Sequence, residues 1–218
     1  MAVQLHVAYS STFKKGVGAI AGGPYYCAEG LMSIKRCMDG SASTIPVSRL
    51  VDTTRQWAND GRIDPVANLQ SKVYIFTGTK DSVVLPSVSD KLYSYYTNFV
   101  KTENIVYKKD IPAEHSMVTD NYGNKCSYKG SPYINNCGFD TAGQLFENLY
   151  GRLHARNNHS SKLSGSLLEF DQTAFVSGHG MATTGWVYIP KNCAEGQTCK
   201  LHVALHGCKQ NAITIGMH

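Results

Sequence analysis

The chain has 218 residues, of which 42% are hydrophobic and 17% charged, and its formal net charge is +5. That length suffices for one sizeable core, whereas two independent domains would be crowded. The positive charge is scattered, with only three adjacent basic pairs (Lys14-Lys15, Lys35-Arg36 and Lys108-Lys109), which disfavours a nucleic-acid partner. No apolar run approaches the roughly 18 to 20 residues that span a bilayer, so no membrane partner is predicted.

The first 155 residues alternate between helical and strand-like patterns, with a loop over residues 25–45. The apolar periodicity predicts four helices, at residues 1–9, 47–59, 87–99 and 138–153, and three strands, at residues 16–21, 73–76 and 104–107. Alternation of this kind is typical of a parallel sheet covered by helices. The sequence therefore predicts an α/β fold.

The pattern changes after Arg156, where a polar connector leads into three β-rich segments, at residues 166–170, 185–189 and 201–205. The first two segments predict the strands of a hairpin, and the third predicts a buried strand. We interpret residues 1–218 as one partial domain, in which the β-rich part (156–218) follows the helix-rich part (1–155).

An aspartate and then a histidine follow successive predicted strands. Asp81 comes after the strand at 73–76, and His115 lies in the loop after the strand at 104–107. This is the second half of the order Ser…Asp…His that α/β-hydrolases use, and such folds place catalytic groups beyond the carboxyl ends of strands. In these enzymes the histidine accepts the serine proton while the carboxylate orients the imidazole. By spacing alone, an ordinary turn aspartate and a surface histidine fit equally well.

The serine that should precede Asp81 is not found, because no Gly-x-Ser-x-Gly sequence occurs in the chain. The first predicted helix begins on Met1 without a Ser, Thr, Asp or Asn cap, and residues 213–218 end in an interrupted element. We therefore expect the nucleophile to lie before residue 1 and the fold to be incomplete at both ends. Without that serine, the chain itself is predicted to be inactive.

A second candidate feature is the segment Leu201–Cys208, which ends in His-Gly-Cys. A strand that ends in His-Gly forms the oxyanion-hole loop of many α/β-hydrolases, where backbone N–H groups stabilise the tetrahedral intermediate. Packing of a core strand is the simpler alternative. Since this segment follows Asp81 and His115 instead of preceding them, the order predicts a circularly permuted α/β-hydrolase.

The same segment offers an alternative zinc site, formed by His202, His206 and Cys208. The helix and the glutamate of the His-Glu-x-x-His pattern are absent, which disfavours this interpretation. The sequence therefore predicts no metal and no cofactor.

Six of the seven cysteines form pairs that are close in sequence: Cys27 with Cys37, Cys126 with Cys137, and Cys193 with Cys199. None of these pairs has the Cys-x2-Cys spacing of a zinc knuckle, so local disulfides and an oxidising compartment are favoured over scattered reduced cysteines. Cys208 is left without a local partner. The first ten residues show no secretion signal, and we expect an extracellular protein whose signal lies outside this sequence.

Together these residues resemble the fungal-type extracellular poly(3-hydroxybutyrate) depolymerases, which are single-domain, circularly permuted α/β-hydrolases. The similarity runs nearly end to end and is carried by co-ordered segments: Ala21-Gly-Gly-Pro-Tyr25, Thr77-Gly-x-x-Asp81, Ser131-Pro-Tyr-Ile134, Leu153-x-Ala-Arg-Asn157 and Leu201-His-Val-Ala-Leu-His-Gly-Cys208.

The resemblance implies a role for each matching residue. Asp81 is implied as the acid of the triad, His115 as the general base and the Cys208 backbone N–H as one oxyanion donor, and the three local cysteine pairs are implied to be disulfides. The family nucleophile lies in a Gly-Leu-Ser-Ser-Gly-Gly-Tyr elbow directly before the helix that begins here at Met1, and that elbow is absent from this sequence.

The resemblance also implies a substrate. This substrate is a short-chain 3-hydroxyalkanoate polyester, which would be hydrolysed through an acyl-enzyme. The complete protein is expected to be a monomer. Two other functions fit the same residues: an esterase for small, feruloyl or acetyl esters, and a non-catalytic, truncated relative of the hydrolases.

Overall fold

The structure is a computed structural model that describes residues 1–29, 31–156, 163–175, 182–207 and 210. The chain forms two compact units, Met1–Leu153 together with the described residues of Leu205–His218, and His154–Ala204. Within the ranges described, no helix is both long enough and apolar enough to cross a membrane.

A central strand, buried along most of its length, organises the first unit. β2 (Lys72–Phe76) lies between β1 (Gly16–Ile20) and β3 (Ile105–Lys108), and both pairings are parallel. Every residue of β2 after Lys72 is buried, as expected for a parallel strand with both faces covered.

Four helices cover this sheet: α1 (Ala2–Ala8), α2 (Val47–Asn59), α3 (Pro86–Tyr96) and α4 (Thr141–Tyr150). The side chains of β2 alternate between two cores, because successive residues of a strand point to opposite faces. Val73 and Ile75 pack with residues of α1, α2 and α3, whereas Tyr74 and Phe76 pack with residues of α4. This parallel sheet between helices confirms the predicted α/β fold.

Shorter elements fill the connections of the first unit. The described residues include four 3-10 helices, at Leu31–Cys37, Ala42–Thr44, Val66–Asn68 and Thr102–Asn104. The first two lie within residues 25–45, which the sequence predicts to be a loop. After β3 comes a small parallel sheet of order β4-β6-β5, with β4 at Met117–Thr119, β5 at Asn124–Lys125 and β6 at Ile134–Asn136.

Helix α4 is shorter than the sequence predicts. It begins at Thr141 because Asp140 caps it, with the Gly143 backbone N–H donating to Asp140 Oδ1 over 2.8 Å. It ends at Tyr150, where Gly151 adopts a positive φ of 79°. Glycine reaches this conformation without the penalty that a Cβ would add, which makes it a common helix terminator.

The second unit contains an antiparallel hairpin and a closed turn. β7 (Ser166–Asp171) pairs with β8 (Thr184–Ile189), with Ser166 opposite Ile189, and these strands agree with the prediction. A short helix, α5 (Lys191–Ala194), follows, and the disulfide Cys193–Cys199 closes the turn after it.

The predicted strand at residues 201–205 is wrong. This segment has no regular secondary structure, and among the described residues it pairs with no strand. Leu201 is 80% exposed and Val203 is 48% exposed, so the alternation of apolar residues does not reflect a buried face here. A strand needs a partner for its backbone groups, and a local pattern does not contain that information.

A buried histidine joins α1 to the rest of the first unit. The Nδ1 atom of His6 lies 3.0 Å from the Tyr96 hydroxyl oxygen, and its Nε2 atom lies 2.8 Å from Ser71 Oγ. His6 is 1% exposed, and this burial lowers its pKa from 6.5 to about 4. The imidazole is therefore neutral in the folded chain at neutral pH.

The buried His6 predicts acid-sensitive stability. Because the folded pKa lies below the unfolded value, the contribution of His6 is complete above pH 6.5 and is lost as the pH falls towards 4. We expect this site to remove up to about 3 kcal/mol from the free energy of unfolding over that window, at about 1.4 kcal/mol for each pKa unit. Urea denaturation at several pH values measures the slope.

His6→Gln should flatten that part of the stability profile. His154→Gln, which replaces an exposed histidine, serves as the matched control and should leave the profile unchanged. Equal pH dependence in the wild type and in His6→Gln would contradict the assignment.

Candidate active site

Two loops meet at the carboxyl ends of β2 and β3. We call residues 77–85 the acid loop and residues 109–116 the histidine loop. Backbone hydrogen bonds join them, with the Thr77 N–H donating to the Lys108 carbonyl oxygen over 3.1 Å, the Thr79 N–H to Ile111 over 2.8 Å, and the Lys80 N–H to Ala113 over 3.2 Å. The parallel pairing of the two strands is thereby continued into the loops.

Gly78 permits this close approach of the two loops. A Cβ atom added at Gly78 would lie 2.1 Å from the Ala113 carbonyl oxygen and 3.0 Å from the Ala113 Cβ. Both are far inside ordinary contact distance, and the oxygen belongs to backbone that is held by the Lys80 N–H. The glycine of the Thr77-Gly78 sequence is therefore required by the space between the loops.

The structure brings Asp81 and His115 together. The Nδ1–H group of His115 donates to Asp81 Oδ2 over 2.9 Å, and the Asp81 side chain is 1% exposed whereas that of His115 is 27% exposed. The second oxygen, Oδ1, accepts from the backbone N–H groups of Val83 and Val84, over 2.9 and 2.8 Å. The carboxylate is thus buried but fully hydrogen-bonded, as buried charged groups must be.

This geometry also sets the tautomer of His115. An ionised carboxylate only accepts hydrogen bonds, so Nδ1 carries the proton and Nε2 presents a lone pair. Within the described part of the chain, Nε2 has no hydrogen-bond partner. The ring packs edge-on against Tyr133, with ring centroids 6.2 Å apart. A partly exposed imidazole with an unoccupied Nε2 is suited to accept a proton.

A loop closed by a disulfide forms backbone hydrogen bonds on both sides of His115. We call residues 126–137 the disulfide loop, because Cys126 and Cys137 form a disulfide. The Cys126 carbonyl oxygen accepts from the Glu114 N–H over 3.0 Å, and the Tyr133 carbonyl oxygen accepts from the Met117 N–H over 2.8 Å. The histidine is therefore flanked on both sides by backbone bonds to this loop.

The interior of the disulfide loop is held by one amide. Asn135 is fully buried, and its Nδ2 group donates to the carbonyl oxygens of Cys126 and Tyr128 over 3.1 and 2.7 Å. The third disulfide, Cys27–Cys37, closes a loop after β1. All three predicted disulfides are present.

The predicted oxyanion donor, Cys208, lies outside the described residues, and its role stays a prediction. Gly207 and Gln210, on either side of it, are placed beside the disulfide loop. The Gly207 N–H donates to Gln210 Oε1 over 2.9 Å, and Gln210 Nε2 lies 3.3 Å from the Tyr133 carbonyl oxygen. The ring of Tyr133 also packs edge-on against His115, so this one residue of the disulfide loop contacts both Gln210 and His115.

The alternative zinc site gains no support. His206 Nδ1 donates to the carbonyl oxygen of Gly207 over 2.8 Å, and the described residues contain no group of three His, Cys, Asp or Glu side chains suited to a metal ion. Cys208, the third proposed ligand, lies outside the described residues.

The sequence did not point to five residues that support the pair: Ser82, Glu114, Lys129, Tyr133 and Gln210. Glu114 directly precedes His115, and that adjacency was the one local signal. The others become visible only when the three loops are placed together.

Comparison with known proteins gives two curated relatives. No protein-family model matches the chain. The chain is 61% identical to a poly(3-hydroxybutyrate) depolymerase of Delftia acidovorans, over 97% of this chain and 43% of the relative. It is 43% identical to a polyhydroxybutyrate depolymerase of Talaromyces funiculosus, over 99% of this chain and 63% of the relative. The chain therefore spans about half the length of these relatives.

Two solved structures are also similar. The crystal structure of a depolymerase from Penicillium funiculosum matches with a TM-score of 0.90 and 41% identity, covering 98% of this chain and 67% of the other. A depolymerase variant with serine replaced by alanine, complexed with an R3HB trimer, matches with a TM-score of 0.91 and 42% identity, covering 99% and 68%. The α/β-hydrolase fold of the first unit agrees with these matches.

Gly78→Ala tests the contact between the two loops. We expect the substitution to lower the free energy of unfolding by about 3 kcal/mol, because the added Cβ clashes with rigid backbone. Hydrogen exchange of the Thr79 and Lys80 amides should become faster, since these groups donate across the contact. Urea denaturation and exchange NMR measure the two effects.

Gly22→Ala is the matched control. A Cβ at Gly22 would make only ordinary contacts, at 3.7 Å from Ala19 and 3.8 Å from Leu92, so its effect should stay within about 0.5 kcal/mol. Equal losses in the two variants would show that the loop contact has no special role.

Proposed function

The chain belongs to the poly(3-hydroxybutyrate) depolymerase family, and from this we propose that it carries the acid and the base of a serine ester hydrolase that acts on poly(3-hydroxybutyrate)-like polyesters. The observation that carries the proposal is the 2.9 Å hydrogen bond between His115 Nδ1 and the buried Asp81. It lies where α/β folds bind their ligands, beyond the carboxyl ends of the strands.

In the proposed reaction His115 moves the protons. Its Nε2 atom accepts the proton of a serine hydroxyl while the serine oxygen attacks the ester carbonyl carbon, and Asp81 stabilises the resulting imidazolium. The tetrahedral intermediate then expels the alcohol, which takes the proton from Nε2, and an acyl-enzyme remains. His115 next takes a proton from water, whose oxygen attacks the acyl carbon, and returns that proton to the serine as the acid is released.

The developing negative charge needs hydrogen-bond donors. We propose the Cys208 backbone N–H as one of them, supported by the position of Gly207 and Gln210 beside Tyr133. Each such donor is typically worth about 3 kcal/mol in the transition state.

The proposed reaction also needs a serine nucleophile. The 218 residues contain no Gly-x-Ser-x-Gly sequence, so we propose that the elbow serine is supplied by chain that is not part of this sequence. On its own, the 218-residue chain is then expected to form no acyl-enzyme.

The relatives support the substrate class. Both curated relatives are described as depolymerases of this polyester, and one related structure holds an R3HB trimer. Because a shared fold does not fix the substrate, small esters and feruloyl or acetyl esters are the competing substrates that the assay must include.

We also propose an extracellular protein that is monomeric when complete, with both units in one catalytic domain. Three disulfides within 218 residues are typical of proteins from oxidising compartments. In a reducing compartment these bonds would not persist.

A hybrid enzyme tests the function. This chain replaces its matching region in the Talaromyces funiculosus depolymerase, so that the remaining segments come from the relative. We expect the hybrid to degrade poly(3-hydroxybutyrate) and to be labelled by a fluorophosphonate, and the isolated chain to take no label. Asp81→Asn and His115→Ala should each lower kcat of the hybrid by about 10⁴, the loss typical of a triad member.

Matched controls change an exposed residue of the same type. Asp60→Asn and His154→Ala should leave kcat unchanged, since both side chains are exposed. Full activity of the His115→Ala hybrid would refute the proposed role. A hybrid that cleaves methyl ferulate or p-nitrophenyl butyrate but not the polymer would support the small-ester alternative.

A further inference from the structure

One buried carboxylate beside the site has no part in the reaction described above. Glu114 is 8% exposed, and its Oε1 atom accepts from the Ser82 backbone N–H over 3.0 Å and from the Ser82 hydroxyl over 2.6 Å. Burying a charged group is costly unless it is hydrogen-bonded. Among the described residues, the side-chain hydrogen bonds of Glu114 all go to this one serine.

Two consecutive residues of the histidine loop therefore form hydrogen bonds with two consecutive residues of the acid loop. His115 binds Asp81, and Glu114 binds Ser82. The Lys80 N–H donates to the Ala113 carbonyl oxygen directly before these contacts. The backbone hydrogen bonds between the loops stop at that point, and Glu114 extends the connection with a side chain.

The position of Ser82 controls the carboxylate of Asp81. Asp81 Oδ1 accepts from the N–H groups of Val83 and Val84, so the backbone turn that begins at Ser82 determines which way the carboxylate plane faces. A shift of Ser82 moves both of these donors relative to Asp81. The remaining oxygen, Oδ2, then loses its alignment with His115 Nδ1.

A lysine of the disulfide loop sets the direction of the serine hydroxyl. Lys129 Nζ lies 2.9 Å from Ser82 Oγ. Since an ammonium group only donates, the Ser82 hydroxyl accepts from Lys129 and directs its own proton to Glu114. The positive charge of Lys129 is linked to the buried carboxylate through the Ser82 hydroxyl, which offsets part of the desolvation cost of Glu114.

We propose that Glu114 is a positioning residue. By holding Ser82, it fixes the turn of the acid loop and so orients the Asp81 carboxylate towards His115. The catalytic importance of this orientation rests on the proposed function, whereas the orientation itself can be measured without any activity.

Hydrogen-exchange NMR on the 218-residue chain tests the proposal. We expect Glu114→Ala to accelerate exchange of the Ser82, Val83 and Val84 amides and of the His115 Nδ1–H by about tenfold or more, because a hydrogen bond to a charged acceptor is lost. The amides of β2 (Lys72–Phe76) should keep their wild-type exchange rates. His115→Gln identifies the imidazole signal.

Two further variants distinguish a local effect of Glu114 on the acid loop from a general loss of stability. Glu114→Gln keeps an acceptor oxygen in nearly the same place, so it should restore a large part of the protection. Glu103→Gln changes an exposed glutamate and should have no effect on the acid loop.

Two results would overturn the proposal. The acid-loop amides and the Nδ1–H could keep wild-type exchange in Glu114→Ala, or every amide of β2 could accelerate by the same factor as the acid loop, which would indicate a general structural role. Because this readout does not use ester hydrolysis, an inactive hybrid enzyme would count against the proposed function and leave the role of Glu114 to be judged separately.

Discussion

The parallel pairing of β2 with β3 is the constraint on which the candidate site depends. Its register places Val73 opposite Ile105 and Phe76 opposite Lys108, and the same register continues into the loops through the Thr77 N–H. A slip of one residue would turn each side chain to the other face of the sheet. Asp81 and His115 would then no longer meet, although neither residue lies in a strand.

From this pairing, the support of the site extends outward in successive contacts. The Asp81 carboxylate is held by His115 and by backbone N–H groups of its own turn. That turn is held by Glu114, and the histidine loop is held by the disulfide loop. Closing a loop with a disulfide restricts the unfolded chain, so covalent closure at Cys126–Cys137 helps to keep the outermost layer in place. In a small buried site, each polar group needs such a partner.

The sequence contains only some of the groups that the proposed serine hydrolase reaction needs. Asp81 and His115, the proposed acid and base, lie in the first unit and are hydrogen-bonded to each other, whereas no Gly-x-Ser-x-Gly sequence occurs in the 218 residues. In the proposed reaction, the groups that transfer the proton therefore belong to this sequence, and the nucleophile is assigned to chain outside it. The same fold serves many ester substrates, so the family relationship supports the polyester while the pair itself supports only the chemistry.

The sequence by itself determined the α/β fold class, helix α2, the strands of the central sheet, the local disulfides and the order of Asp81 and His115. Short-range patterns of polarity, spacing and turn residues predict these features. Tertiary structure alone decided that residues 201–205 pair with no strand in the described part of the chain, that Gly78 must lack a side chain, and that Glu114 holds Ser82. Each of these depends on backbone or side chains that are distant in sequence, and the approach of two loops is fixed only when the sheet has formed.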